Sequence, residues 1–357
     1  MPSDGSWERT ARHVRQQAAA CAELGSPLYG GLLERVAQDL LDGGPTAAVL
    51  SGHEHDPRDS ALALRLMGGV HRLVLEREAP GLAVFYPSVG GTSDVESAWP
   101  ALRAVLEQHR DRLRRGLDQP PQTNEVGRGA ALIGGLRHVA AVLPGPLRLF
   151  ELGASAGLNL RADHFRVDGG DGSFVGPTAS PVVLRDAWAG EPPPRQAVVV
   201  VERGGCDVAP LDPTTTEGRL RLTCYVWPDQ LERLERLRGA LELAVRVPAE
   251  VVHQGAAAFL RGVELAAGTT AVLWHSVMWQ YLPSGEQEAV TARIAELGEQ
   301  ATPGKGFAHL RMEPETRGGD HAFYVILRLW PGDGGLDGGA DRVLGIAHPH
   351  GLPTTWR

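Results

Sequence analysis

Apolar positions through the first 143 residues recur at helical spacing. Ser26-Pro27 reads as a cap followed by a first-turn proline. Leu28, Leu32, Leu33, Val36 and Leu40 then share one face until Gly43-Gly44-Pro45 stops the run. A second amphipathic run follows Asp59 (Leu62, Leu66, Val70, Leu73, Val74), a third covers 99–117, and a fourth covers 126–143. The fourth is rich in small residues (Ala130, Ala131, Gly134, Gly135), which predicts close packing against a neighbour. The exception is 82–87, a short extended piece entering the turn Ser88-Val89-Gly90-Gly91.

After Pro144-Gly145-Pro146 the pattern changes. Short apolar runs at 147–152, 197–201, 250–252, 270–274, 307–312, 321–329 and 342–347 read as strands. Helical segments are expected at 156–165, 229–245, 254–265 and 284–300. This alternation predicts an α/β fold, a parallel sheet with helices on both faces. The loop 331–339 is too short for a helical crossover, so the last two strands should pair antiparallel. The Gly/Pro-rich insert 168–194 is expected to form a hairpin or lid outside the sheet, and no internal repeat is visible. Two parts follow: a helical cap over 1–143 and a sheet domain over 144–357.

Composition narrows the function classes. With 357 residues, 43% hydrophobic and 22% charged, the chain is globular. No apolar run approaches the roughly 18 residues of a membrane helix, and Met1-Pro-Ser-Asp-Gly-Ser lacks the basic-then-apolar order of a secretory leader. A cytoplasmic protein without membrane contact is expected. Net charge is −8, which gives no footprint for nucleic acid. Cys21, Cys206 and Cys224 form no CxxC pair. Lys305 is the only lysine, in a Gly-flanked turn, which removes Schiff-base chemistry. His53-Glu-His-Asp56 and His348-Pro-His350 each lack the second cluster that a metal shell needs, so no metal is expected.

The most informative segment is a strand, then Glu151-x-Gly153-x-Ser155-x-Gly157-x-Asn159, then a helix. Small residues let the backbone approach a ligand, and the helix start offers free N–H groups. This loop resembles the nucleotide-binding loop of class I S-adenosylmethionine-dependent methyltransferases. The resemblance implies a Rossmann-like seven-stranded sheet ending in an antiparallel hairpin, with S-adenosylmethionine as cofactor and a small-molecule acceptor. Position by position it implies Glu151, Gly153, Ser155, Gly157 and Asn159 along the cofactor. Glu202 stands at the second strand for the ribose, with Asp207 or Asp212 as alternatives, and Gln254, Gly255 and Ala256 near the adenine. The spacing from Glu151 to Glu202 exceeds that of one helix and a turn, and the insert must absorb the excess. At the fourth strand, Trp274-His275-Ser276 precedes Trp279-Gln280-Tyr281. His275 and Tyr281 are the catalytic candidates, His275 being able to accept a proton near neutrality. Tyr86, Asn124, Glu125, Arg128, Asp207 and Trp279 are the substrate-contact candidates. Over nearly its whole length the chain also resembles an uncharacterised bacterial group, domain of unknown function 2332. Gln122-Thr-Asn-Glu-Val-Gly-Arg128, the 151–160 loop, Arg203-Gly-Gly-Cys-Asp207 and Val226-Trp-Pro-Asp-Gln230 carry that likeness.

Two alternatives remain. Gly153-Ala-Ser155-Ala-Gly157 is also a GxSxG nucleophile elbow, with Asp207 or Asp229 and His321 or His348 in triad order. No His-Gly-Gly-Gly loop precedes it; Val89-Gly90-Gly91-Thr92 comes nearest. A methyltransferase-like binding module without catalysis is the other alternative.

Overall fold

The computed structural model describes residues 5–56, 60–169, 172–331 and 338–357. It divides into two compact units, Met1–Thr123 with Thr216–Leu234, and Asn124–Thr215 with Glu235–Arg357. The division falls before the fourth helical run rather than after it, and a later segment joins the N-terminal residues.

The first unit is helical: α1 (Ser6–Glu23), α2 (Pro27–Leu41), α3 (Pro45–Leu50), α4 (Leu62–Leu75), α5 (Pro80–Ala83), α6 (Val95–Gln108) and α7 (Arg110–Leu117). Ser26 Oγ accepts the Tyr29 N–H, and Asp229 accepts from both Ser26 Oγ (2.5 Å) and the Leu28 N–H (3.0 Å). The anticipated cap is therefore held by an acid 200 residues away in sequence. The run 99–117 is two helices meeting at His109, and Asp59 lies outside the described residues. Residues 82–87 are not extended. Pro80 and Pro87 each start a short helical turn, α5 and a 3-10 turn at Pro87–Val89. Inside this unit the imidazole of His71 meets the Cys224 carbonyl and Ser88 Oγ, and burial pushes its pKa down to about 4.

The second unit contains α8 (Gly129–Val142), β1 (Leu147–Leu152), a small sheet of β2 (Arg166–Asp168), β3 (Phe174–Val175) and β4 (Val183–Leu184), then β5 (Trp188–Gly190) and β6 (Val200–Asp207). After α9 (Thr216–Cys224), which belongs to the first unit, come α10 (Leu231–Arg246), which the division cuts after Leu234, β7 (Glu250–His253), α11 (Ala256–Arg261), β8 (Thr270–Ser276), α12 (Ser284–Gln300), β9 (Gly306–Arg317), β10 (Asp320–Trp330), β11 (Arg342–Ala347) and β12 (Thr354–Trp356). The fold is mixed α/β. Among the described residues the main sheet has nine strands in the order β5-β12-β11-β10-β9-β8-β1-β6-β7, not seven. The β7-β6-β1-β8-β9 portion is parallel, and β9 to β12 form an antiparallel meander that includes the expected hairpin. The two extra strands are three-residue pieces, β5 and β12, that pair with each other at the edge. Part of the insert thus joins the main sheet; its residues 170–171 lie outside the described set.

β1 and β8 are buried along nearly their whole length because both faces are covered. On one face α8 approaches so closely that a Cβ at Gly134 would stand 1.9 Å from the Trp356 ring, and one at Gly135 2.4 Å from Leu310. On the other, α11 and α12 bury Leu260, Val290 and Ile294 against Phe150, Leu152, Cys206 and Phe307. Among the described residues no helix is long and apolar enough to cross a membrane.

Gly134→Ala is expected to destabilise the chain by about 1–3 kcal/mol through overpacking. Gly116→Ala in α7, where an added Cβ meets nothing within 4 Å, is expected to stabilise it by roughly 0.5–1 kcal/mol. Denaturant titration of both variants checks the pair, and equal effects would contradict the packing described.

Candidate functional site

Chain order along the parallel strands reverses between β1 and β8: β6 and β7 lie to one side of β1, while β8 and β9 lie to the other. In open α/β sheets this switch point, beyond the carboxyl ends of the strands, is where ligands bind. The 153–157 loop leaves β1 there, and the segment 277–281 leaves β8 beside it. A Cβ on Gly153 would lie 3.0 Å from the Met278 side chain, so the two loops pack directly together.

Both loops hold a strained residue. Ser155 sits at φ 52° and Val277 at φ 51°. A left-handed backbone is uncommon for any side chain and costly for a β-branched one. Asp207, the last residue of β6, fixes the first: its Oδ2 accepts the Ser155 N–H at 2.9 Å and its Oδ1 the Ala209 N–H at 2.8 Å. Ala154 donates to the Cys206 carbonyl and Leu211 to that of Ser155. Asn124 Oδ1 accepts the Leu158 N–H (2.8 Å), and Asn159 Nδ2 donates to the Glu125 carbonyl (3.1 Å). The Arg128 guanidinium donates to the carbonyls of Ser276 and Pro349, both at 3.3 Å. Asn124, Glu125 and Arg128 therefore gather on the β1 loop and the end of β8.

Several sequence expectations change at this edge. A 3-10 turn at Asn159–His164 follows the loop instead of an α-helix. The Ser155 N–H is held by Asp207, the Gly157 N–H by the Ala154 carbonyl and the Leu158 N–H by Asn124, and no α-helix start follows the loop. Gly153 and Gly157, at φ 66° and 64°, satisfy the turn and close packing, with Val251 filling the space beside Gly157. Glu202 is not at the end of its strand, because β6 continues through Arg203-Gly204-Gly205; it pairs with Arg148 (2.5 Å). Asp212 caps a turn through the Thr214 N–H and hydroxyl. Gln254 is exposed at the end of β7, and the space beside Gly255 holds Glu286, which accepts the N–H following Ala256. Tyr281 is 63% exposed, whereas Tyr86 is wholly buried beside Tyr29 and His71 in the helical unit. Asp229 caps α2, and His321 pairs with Thr316 at the β9–β10 turn. His53 pairs with Asp56, His348 Nδ1 accepts the His350 N–H, and among the described residues no cluster able to hold a metal ion occurs.

Two titratable clusters remain, one on each face of the sheet. Glu151 is 3% exposed and lies in register with Trp274 and Gly205. Its Oε2 and Trp274 Nε1 are buried without a partner at full hydrogen-bond geometry. Burial pushes the Glu151 pKa up to about 8, and Asp207 adds to this, against the pull of the Trp274 N–H, Arg128 and Arg161. One residue further along β8, His275 faces the α12 side. There His275, Trp279, His309, Arg311 and Glu313 line a cavity of about 250 Å³. His275 Nδ1 lies 2.7 Å from Glu313 Oε1, its Nε2 lies 2.9 Å from His309 Nε2, and Trp279 stacks on its ring. His309 and Glu313 were missed in the sequence. The alternation of His309, Arg311, Glu313 and Glu315 with apolar residues, a polar face of period two, was the available signal.

The chain belongs to a bacterial family described as "Uncharacterized protein conserved in bacteria (DUF2332)", whose model matches residues 11–356. No curated protein and no solved structure matches it.

Between pH 4.5 and about 8 the native chain retains a proton on Glu151 that the unfolded chain releases, so this group's contribution to stability falls as pH rises through that window. Glu151→Gln should therefore be more stable than the parent at pH 8, by on the order of 2–4 kcal/mol, with the gap closing toward pH 4.5. Melting curves of both proteins across that range check it; a gap independent of pH would mean the carboxyl is ionised in the fold.

Proposed function

We propose that this DUF2332 protein binds S-adenosylmethionine at the carboxyl edge of its parallel sheet and transfers the methyl group to a small acceptor. The observation that carries the reading is the pair of strained loops meeting at the β1–β8 switch point, where Ser155 and Val277 hold left-handed backbones. The residues suit the cofactor through carboxylates rather than amides. Glu151, buried and with an oxygen lacking full hydrogen-bond geometry, would answer a cationic group; a positive charge nearby favours its ionised form. Asp207, with acceptor capacity beyond its two amide bonds, would take the ribose hydroxyls in place of Glu202.

When bound, the cofactor supplies an electrophilic methyl on a sulfonium. The chain's own part is to orient the acceptor, exclude water and receive the acceptor's proton. The left-handed Ser155 within GxSxG also suits a hydrolase elbow. Against that reading, Asp207 binds backbone amides rather than orienting a histidine, and His321 pairs with Thr316 at the β9–β10 turn.

Calorimetric titration of the full chain with S-adenosylmethionine and S-adenosylhomocysteine tests the proposal. Saturable binding is expected, weakened at least tenfold in Glu151→Gln. In Ser155→Ala it should weaken by only about 0.5–1.5 kcal/mol, one hydrogen bond. Absence of binding by both ligands, with covalent labelling of Ser155 by a fluorophosphonate probe, would replace methyl transfer with hydrolysis.

A further inference from the structure

We propose that a cleft beside β6 and β7 is a second ligand site, which takes a small organic monocarboxylate against Arg161. The cleft measures about 510 Å³ and lies wholly within the second unit. None of its lining residues belongs to β1, to β8 or to the two strained loops at the switch point. It is a separate site and does not rest on the methyl-transfer reading.

Arg161 stands in the 3-10 turn that follows the β1 loop and is only 3% exposed. Its Nε donates to the Val247 carbonyl and its Nη1 to that of Gly157, both at 2.7 Å. Those bonds use two of the five guanidinium N–H groups, and Nη2 donates to nothing. Among the described residues no carboxylate pairs with Arg161, although buried charges are ordinarily paired. Unlike the sealed Glu151 Oε2 and His309 Nδ1, its Nη2 keeps accessible surface, and Arg161 meets open space at the cleft. The charges acting on it do not compensate it. Arg203 has the same sign, and burial keeps Glu151 largely protonated at neutral pH. Burial and then Arg203 push the Arg161 pKa down to about 10, with Glu151 opposing, so the guanidinium is still charged at neutral pH.

The remaining lining groups select the anion. Arg203 is fully engaged: Nη1 and Nη2 hold the two oxygens of Asp163 at 2.8 and 3.1 Å, and they reach the Leu160 and Val200 carbonyls. Asp212 binds the Thr214 N–H and hydroxyl through Oδ1, and Glu250 stands exposed at the start of β7. One unanswered positive charge thus shares the cleft with two acids. A single negative charge fits there, whereas a dianion such as phosphate meets repulsion. Pro213, Ala244 and Ala249 supply an apolar wall for an organic body. The volume lies within the roughly 300–1,000 Å³ of small-molecule sites. A carboxylate oxygen accepting from Nη2 would make a charge-assisted hydrogen bond where the chain itself supplies none.

Benzoate is the probe, titrated into the full chain labelled with ¹⁵N-arginine and followed by calorimetry and at the guanidinium resonances. Saturable binding that moves the Arg161 resonance is expected, and benzamide, the neutral isostere, should bind about tenfold more weakly or less. Ala249→Glu places a carboxylate in the cleft without touching the bonds of Arg161. It should weaken benzoate by about tenfold or more and leave the melting temperature unchanged. Arg161→Gln should abolish binding and identifies the resonance. Because it also removes two carbonyl bonds, Ala249→Glu carries the test if that variant unfolds. No saturable benzoate binding in the parent, or equal affinity in Ala249→Glu, overturns the site. Tighter binding of inorganic phosphate than of benzoate overturns the monocarboxylate. Displacement of benzoate by S-adenosylmethionine overturns the separateness of the cleft from the cofactor site. Benzoate binding as expected in a chain that binds no S-adenosylmethionine would sustain the cleft and overturn methyl transfer.

Discussion

The carboxyl edge of the parallel sheet depends on one acid. Asp207 ends β6, and its carboxylate holds the Ser155 amide at 2.9 Å, fixing a left-handed residue that an unrestrained chain would avoid by about 1–3 kcal/mol. That turn lets the chain leave β1 with Gly153 packed on Met278. The Met278 and Trp279 amides in turn reach Glu313, and Glu313 orients His275. A series of short contacts thus links the end of β6, across β1 and β8, to a side chain on β9. Loss of any member would loosen the two loops on which the candidate site is built.

Parallel register separates the site's two kinds of chemistry. Glu151 pairs across with Trp274, and Leu152 with His275. Since successive side chains point to opposite faces, an acid held largely protonated lies on one face and a histidine–carboxylate pair on the other. Hydrogen bonding distinguishes the two acids. For Glu151 burial disfavours the charge and lifts the pKa to about 8. On the other face Glu313 Oε1 has three donors, and a charge there is matched by hydrogen bonds. A slip of one residue between β1 and β8 would part Glu151 from Trp274 and carry it to the other face, leaving the β8–β9 pairing of His275 unchanged.

Local signals carried much of the architecture. The N1 proline and cap of α2, the limits of α12 and the small-residue face of α8 all rest on spacing and turn chemistry that act within a few residues. Neighbouring spacing likewise announced the β1 loop and His275. Long-range pairing decided what that spacing could not. β6 continues through Arg203-Gly204-Gly205 because β1 and β7 complete its hydrogen bonds, so the acid at its end is Asp207 rather than Glu202. Asp207 holds the Ser155 amide and Asn124 the Leu158 amide, where spacing alone suggests free N–H groups at a helix start. His309 and Glu313 become chemical groups only because β9 lies beside β8 and brings them to His275. Periodicity and turn residues determine most of the helices and strands, with 82–87 and 156–165 as exceptions. Which buried polar groups face one another is decided by strand order and register, since each such group must find its partner from elsewhere in the chain.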